Sequence, residues 1–145
     1  MTPQQKTLIR ETWQMVTPIA DQAASMFYER LFDLNPELRP LFPGAISTRH
    51  RQKLIAALSA VVEALEHLET IVPTLESLGR RHTSYGVEDA HYETVGTALL
   101  DTLEKGLGDN WSEDAGAAWG VAYGPVAGVM RNAAASQDPA SMAAA

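Results

Sequence analysis

The sequence predicts an all-α, single-domain protein, on three observations. Apolar residues recur at the helical spacing of about 3.6 residues through the long segments. Proline or glycine separates those segments, and none shows the apolar and polar alternation of a half-buried strand. With 145 residues, 46% of them hydrophobic, the chain suffices for one domain around one continuous core. That domain is expected over residues 1–133, in six to eight helices, with the alanine-rich stretch 134–145 as a frayed tail.

Each helix has its own signals. Thr2-Pro3-Gln4-Gln5 combines a capping hydroxyl, a proline whose missing N–H costs nothing at the first helical position, and a glutamine placed to cap in return. The first helix should run to about Val16, with Leu8, Ile9, Thr12, Trp13 and Val16 inward, until Thr17-Pro18 restarts the chain. The second carries Ala24, Phe27, Tyr28 and Leu31 on one face and ends at Asn35-Pro36. Pro36, Pro40, Pro43 and Gly44 then allow only one or two helical turns, a corner that holds Phe42.

Ser47 or Thr48 is placed to cap the next helix, whose stripe Leu54, Leu58, Val61 and Leu65 extends one turn back onto His50. Pro73 suits the first turn of a further helix on which Leu75, Leu78 and His82 share a face. Gly86 breaks it. Asp89 or a neighbour opens another helix through Tyr92, Val95, Leu99 and Leu103 to the Gly106 and Gly108 turn. Ser112 caps the last, with Trp119, Tyr123, Val126 and Met130 inward and Pro125 expected to bend it.

Composition narrows the function. The 18 acidic and 11 basic residues leave a net charge of -7, which disfavours binding to nucleic acid or anionic lipid. There is no cysteine, hence no disulfide framework and no thiolate site. No stretch approaches the roughly 18 uninterrupted apolar residues of a membrane span, and the chain is read as soluble and cytoplasmic. No phosphate-binding glycine loop and no serine in a nucleophile turn are present.

His50 and His82 remain, both on apolar faces of separate helices. Two readings stand. Each is accounted for as a core histidine satisfied by hydrogen bonds, since a buried imidazole has both a donor and an acceptor to satisfy. Alternatively a metal meets the acceptor. No cysteine or paired carboxylate stands near either histidine, so the three or four ligands of a zinc site are not visible, whereas an iron carried by a porphyrin requires one protein histidine. His67 and His91 sit beside acidic residues in helix-surface patterns and read as solvated, without chemistry. Trp13 and Trp119 read as core.

The strings Phe27-Tyr28-Glu29-Arg30-Leu31-Phe32, Asn35-Pro36-Glu37-Leu38 and Leu41-Phe42 resemble the second helix and corner of bacterial globins. Leu78-Gly79-Arg80-Arg81-His82, then Tyr85-Gly86-Val87 and His91-Tyr92-Glu93-Thr94-Val95-Gly96, are similar to their proximal histidine region, and Ala118-Trp119 with Ala122-Tyr123-Gly124 to their last helix. The resemblance runs to about residue 132 and lies nearest the single-domain globins related to flavohaemoglobins and neuroglobins. It implies a globin fold, a helical sandwich around haem b.

The resemblance implies that His82 is the proximal iron ligand, that Phe42 wedges against the porphyrin, and that Tyr28 and His50 face the gas. His50 is alternatively a distal iron ligand, as in neuroglobin-like proteins. It stands where a flavohaemoglobin more typically has glutamine, and Gln52 does not restore that pattern, since residues two apart lie far apart around a helix. Lys53 and Arg81 are further cofactor contacts, Lys53 reading equally as a solvated lysine. Leu54, Leu58, Leu78, Val87, Tyr92, Val95 and Leu99 complete the apolar lining. The implied partners are dioxygen, carbon monoxide and nitric oxide, and the implied function is reversible oxygen binding or transport, or, alternatively, nitric oxide dioxygenation fed by a separate reductase, because these residues hold no flavin or nicotinamide domain. The glutamate that works with the tyrosine and the proximal histidine in flavohaemoglobins has no counterpart in Asn132 to Ala135, which implies weak peroxidase-like activation.

Overall fold

The computed structural model describes residues 1–42, 44–84 and 86–135, with the side chains of residues 83, 84, 134 and 135 excepted. Six α-helices and no strand are found among them: α1 (Pro3–Val16), α2 (Ala20–Leu34), α3 (Thr48–Glu63), α4 (Val72–Ser84), α5 (His91–Leu107) and α6 (Glu113–Ala135). The expected tail lies outside the described residues from 136 onward, and α6 continues two residues past the expected boundary.

The caps are those the sequence signals. Thr2 and Gln5 form a reciprocal capping box with Pro3 at the first helical position. The Ser112 hydroxyl accepts the Ala115 N–H at 3.1 Å, opening α6. Short 3-10 turns fill Thr17–Ile19 and the proline-rich corner Pro36–Leu41. Pro125 sits within α6, which continues through it. The carbonyl that loses its N–H partner there is that of Val121, an exposed residue.

The core forms where α1, α2, α5 and α6 meet, around Ile9, Trp13, Val16, Phe27, Leu99, Leu103 and Trp119. The Trp119 indole N–H donates to the Thr12 hydroxyl at 2.8 Å, and that hydroxyl donates to the Leu8 carbonyl at 2.7 Å, so a buried polar pair is satisfied across the α1–α6 contact. Trp13 and Trp119 are core residues, as expected.

Two packing relations position the histidines. Helix α4 lies against α6 and the 3-10 turn Leu68–Ile71, whereas α3 lies mainly against α2. The helices bearing His50 and His82 thus have different main neighbours, α2 and α6, and share the turn Leu68–Ile71. The α4–α6 contact is very close at Gly79: a Cβ there would fall 2.3 Å from the Met130 carbonyl oxygen. Only glycine permits that approach. Beyond His82, Gly86 at φ 96° turns the chain, and the Val87 N–H closes on the His82 carbonyl at 3.0 Å.

Candidate functional site

His82 stands in the last turns of α4, half-buried, with Nδ1 2.6 Å from the Leu78 carbonyl oxygen. A carbonyl only accepts, so Nδ1 carries the proton and Nε2 of the neutral ring carries the lone pair. A metal-ligating histidine has this arrangement, its second nitrogen fixed by a backbone oxygen.

The opposite tautomer is set at His50. Ser47 is the N-cap of α3, and its backbone N–H lies 3.0 Å from His50 Nδ1, with Ser47 Oγ 2.9 Å from the same atom. An amide N–H only donates, so Nδ1 is the acceptor and Nε2 of the neutral ring carries the proton. The ring is half-buried, and it closes a capping box in which the Ser47 hydroxyl accepts the His50 N–H at 3.3 Å. The two histidines thus offer complementary chemistry, a lone pair at His82 and a donor at His50.

Tyr28, Phe32, Phe42 and His50 come together in one aromatic cluster. The Phe42 ring lies 5.7 Å from Tyr28, 5.5 Å from Phe32 and 5.8 Å from His50, each nearly edge-on. The Tyr28 hydroxyl donates to the His50 carbonyl across a long 3.4 Å. Burial raises its pKa, so it stays a donor at neutral pH.

Of the other expected lining residues, Leu54, Leu58, Leu78, Val87 and Val95 are half-buried, Tyr92 and Leu99 are buried, and Lys53 and Arg81 are exposed. The half-buried leucines and valines leave apolar surface in contact with solvent, unlike Ile9, Trp13 and Val16 of α1 and Ala118 and Trp119 of α6. A small cavity of about 20 Å³ reaches this lining from inside, between Phe27, Leu54, Leu58, Leu99 and Thr102. A wider cleft of about 400 Å³ between α2 and α5 is walled by Glu29, Arg30, Asp33 and Asp101 and touches no expected site residue.

Three features were not expected. His91, read as solvated, is 5% exposed: its Nδ1 accepts the Glu88 N–H at 2.9 Å, and its Nε2–H donates to Glu37 at 3.1 Å. That bond, with one from Asn35, lowers the Glu37 pKa. One of its two partners, Glu37, lies in the corner 54 positions away, so local pattern gave no signal. The Tyr92 hydroxyl is buried without a hydrogen-bond partner, and Arg131 stacks 5.5 Å over its ring. A cation therefore stands near the place on the last helix where the resemblance sought a carboxylate. The Tyr123 hydroxyl donates to the Tyr92 carbonyl, its ring seated against Gly96, where a Cβ would meet it at 2.8 Å.

A planar cofactor carrying its own in-plane ligands fits this donor set. Among the described residues, no group of three or more His, Cys, Asp or Glu is placed to hold a metal ion, whereas one lone-pair nitrogen, one N–H, one phenol and an apolar lining are present.

Comparison with known proteins adds the relationship. The globin family profile matches residues 25–130. Flavohemoproteins of Bordetella parapertussis and Bordetella bronchiseptica are 31% identical over 132 residues, covering 90% of this chain. The chain spans only 33% of their length. A bacterial globin of Campylobacter jejuni superposes with a TM-score of 0.79 at 24% identity, covering 92% of this chain and 96% of the other. An engineered carbene transferase, assigned as a nitric oxide dioxygenase of Rhodothermus marinus, superposes at 0.83 with 25% identity, over 93% and 94%. A hexacoordinated heme protein from an anhydrobiotic tardigrade superposes at 0.83 with 16% identity, over 93% and 96%.

Proposed function

The chain belongs to the globin family, and on that premise we propose that it holds haem b between α3 and α4, with His82 as proximal ligand, and binds dioxygen and other diatomic gases reversibly. The observation that carries this reading is the His82 ring, fixed through Nδ1–H on the Leu78 carbonyl with Nε2 as its lone-pair nitrogen. Bound haem would supply ferrous iron, at which dioxygen gains negative charge whereas carbon monoxide stays nearly non-polar. The Tyr28 hydroxyl and the His50 Nε2–H are the donors that distinguish the two gases. Phe42, Leu54, Leu58, Leu78, Val87, Val95 and Leu99 are the walls that exclude water, with Lys53 and Arg81 at the rim.

A second reading, nitric oxide dioxygenation, is favoured by the flavohemoprotein relatives and the Rhodothermus marinus neighbour. It uses the same residues and draws electrons from a reductase. A single stoichiometric consumption of nitric oxide supports gas binding alone, whereas sustained nitrate formation with an added flavin reductase supports the dioxygenase.

His82→Ala is expected to abolish most haem retention, measured as Soret absorbance per protein after reconstitution. Near-normal haem content with an unchanged spectrum sinks the assignment.

A further inference from the structure

We infer that Ser47 is a positioning residue that locks His50 as a hydrogen-bond donor and holds it back from ligating the iron. The inference rests on the haem reading above and adds to it the resting coordination of the site.

The argument is one of tautomers. For His50 to ligate through Nε2, the ring must be neutral with its proton on Nδ1, because the coordinating nitrogen gives up its lone pair. In this structure Nδ1 receives the Ser47 backbone N–H at 3.0 Å and lies 2.9 Å from Ser47 Oγ. A proton on Nδ1 would set two N–H groups against each other at that distance. Ser47 Oγ could accept that proton, but the bond from the Ser47 N–H would be lost and the ring would have to turn away from it, opening one of the reciprocal bonds that start α3. As a donor to a gas, by contrast, His50 keeps the cap intact, since that role needs the proton on Nε2, where Ser47 already puts it. The two nitrogens of an imidazole point in nearly opposite directions, so one end can serve the cap while the other serves a guest.

Position makes the lock possible. His50 is the third residue of α3, where the side chain of a capping box returns to the N-cap amide. Glutamate or glutamine ordinarily fills that role. A histidine there ties the protonation of its far nitrogen to the start of the helix. Tyr28 adds a second restraint, donating to the His50 backbone carbonyl at 3.4 Å.

The direct test is the nitrogen NMR of the His50 imidazole in the protein reconstituted with zinc protoporphyrin, which is diamagnetic. The expected result is a protonated Nε2 and an unprotonated Nδ1. A protonated Nδ1 overturns the inference.

The functional test compares ferrous, gas-free spectra of the wild type, Ser47→Ala and Ser47→Pro. Ser47→Ala keeps the backbone N–H and should stay five-coordinate. Ser47→Pro removes it and should raise the ratio of six- to five-coordinate protein roughly fivefold to tenfold, the worth of about one hydrogen bond. A wild type already six-coordinate, or a folded Ser47→Pro with an unchanged spectrum, also overturns it. If Ser47→Pro does not fold, the NMR result alone decides. A wild-type chain that takes up no haem defeats the proposed function instead, and the tautomer is then read in the haem-free chain.

Discussion

The Tyr28 hydroxyl is loosely engaged: its bond to the His50 carbonyl is long, and its ring is held by Phe27 at 5.3 Å and Phe42 at 5.7 Å. Turning that hydroxyl to a guest costs little, while the ring stays anchored. A hydrogen bond to a partly charged acceptor contributes about 1.5–3 kcal/mol, so Tyr28→Phe should speed dioxygen release roughly tenfold to a hundredfold and carbon monoxide release much less. Stopped-flow release rates read this directly, and equal acceleration of both gases would defeat the assignment. Helical stripes and a proline-marked corner put Tyr28, Phe42, His50 and His82 forward in the sequence, and the structure brings the first three into one cluster. His91 was not legible. The acidic residues beside it, Asp89 and Glu93, are exposed, and the carboxylate that its Nε2–H meets belongs to the distant corner. The Ser47 capping box was half legible, since the serine signals a cap but nothing local says that a histidine ring will close it.

At the scale of elements, His82 is only as well placed as α4. That helix rests on α6, and their backbones meet where a Cβ on Gly79 would overlap the Met130 carbonyl oxygen. A backbone oxygen cannot swing aside as a flexible side chain can. Gly79→Ala should therefore push α4 away from α6, costing about 1–3 kcal/mol as overpacking usually does. Because His82 is three residues on, nearly a full helical turn, it should also weaken haem retention. Urea titration reads the first effect and haem transfer to an acceptor globin the second. A variant as stable and as retentive as the wild type would show that the contact is slack. The sequence supplied α4 from Pro73 and its apolar stripe, but a glycine inside a helical pattern is ambiguous between a weak point and a close contact. Only the position of Met130, 51 residues later, decides between them.

Across the whole molecule, stability is divided unevenly. Where α1, α2, α5 and α6 meet, Ile9, Val16, Ala98 and Ala118 are at most 2% exposed, and the Trp119 to Thr12 bond satisfies the buried indole N–H. Leu54, Leu58, Leu78, Val87 and Val95 on and around α3, α4 and α5 are only half-buried, and α3 and α4 lean mainly on different helices, α2 and α6. A flat apolar group between them would cover that surface and give the two helices a common support. The haem-free chain should accordingly open locally at α3 while α1 and the closely packed α4–α6 pair stay closed, since opening follows contact density. A ligand that binds only the folded chain at a thousand times its dissociation constant stabilises by about 4.1 kcal/mol. At about 2–4 °C per kcal/mol for a domain near this size, haem should raise the thermal midpoint by roughly 10 °C or more. Hydrogen exchange locates the effect: α3 amides should slow by far the most when haem is added, with α1 and α6 nearly unchanged. Uniform slowing across the six helices would mean that haem stabilises only the global fold, and an unmoved midpoint would mean that the half-buried surface is not where it binds.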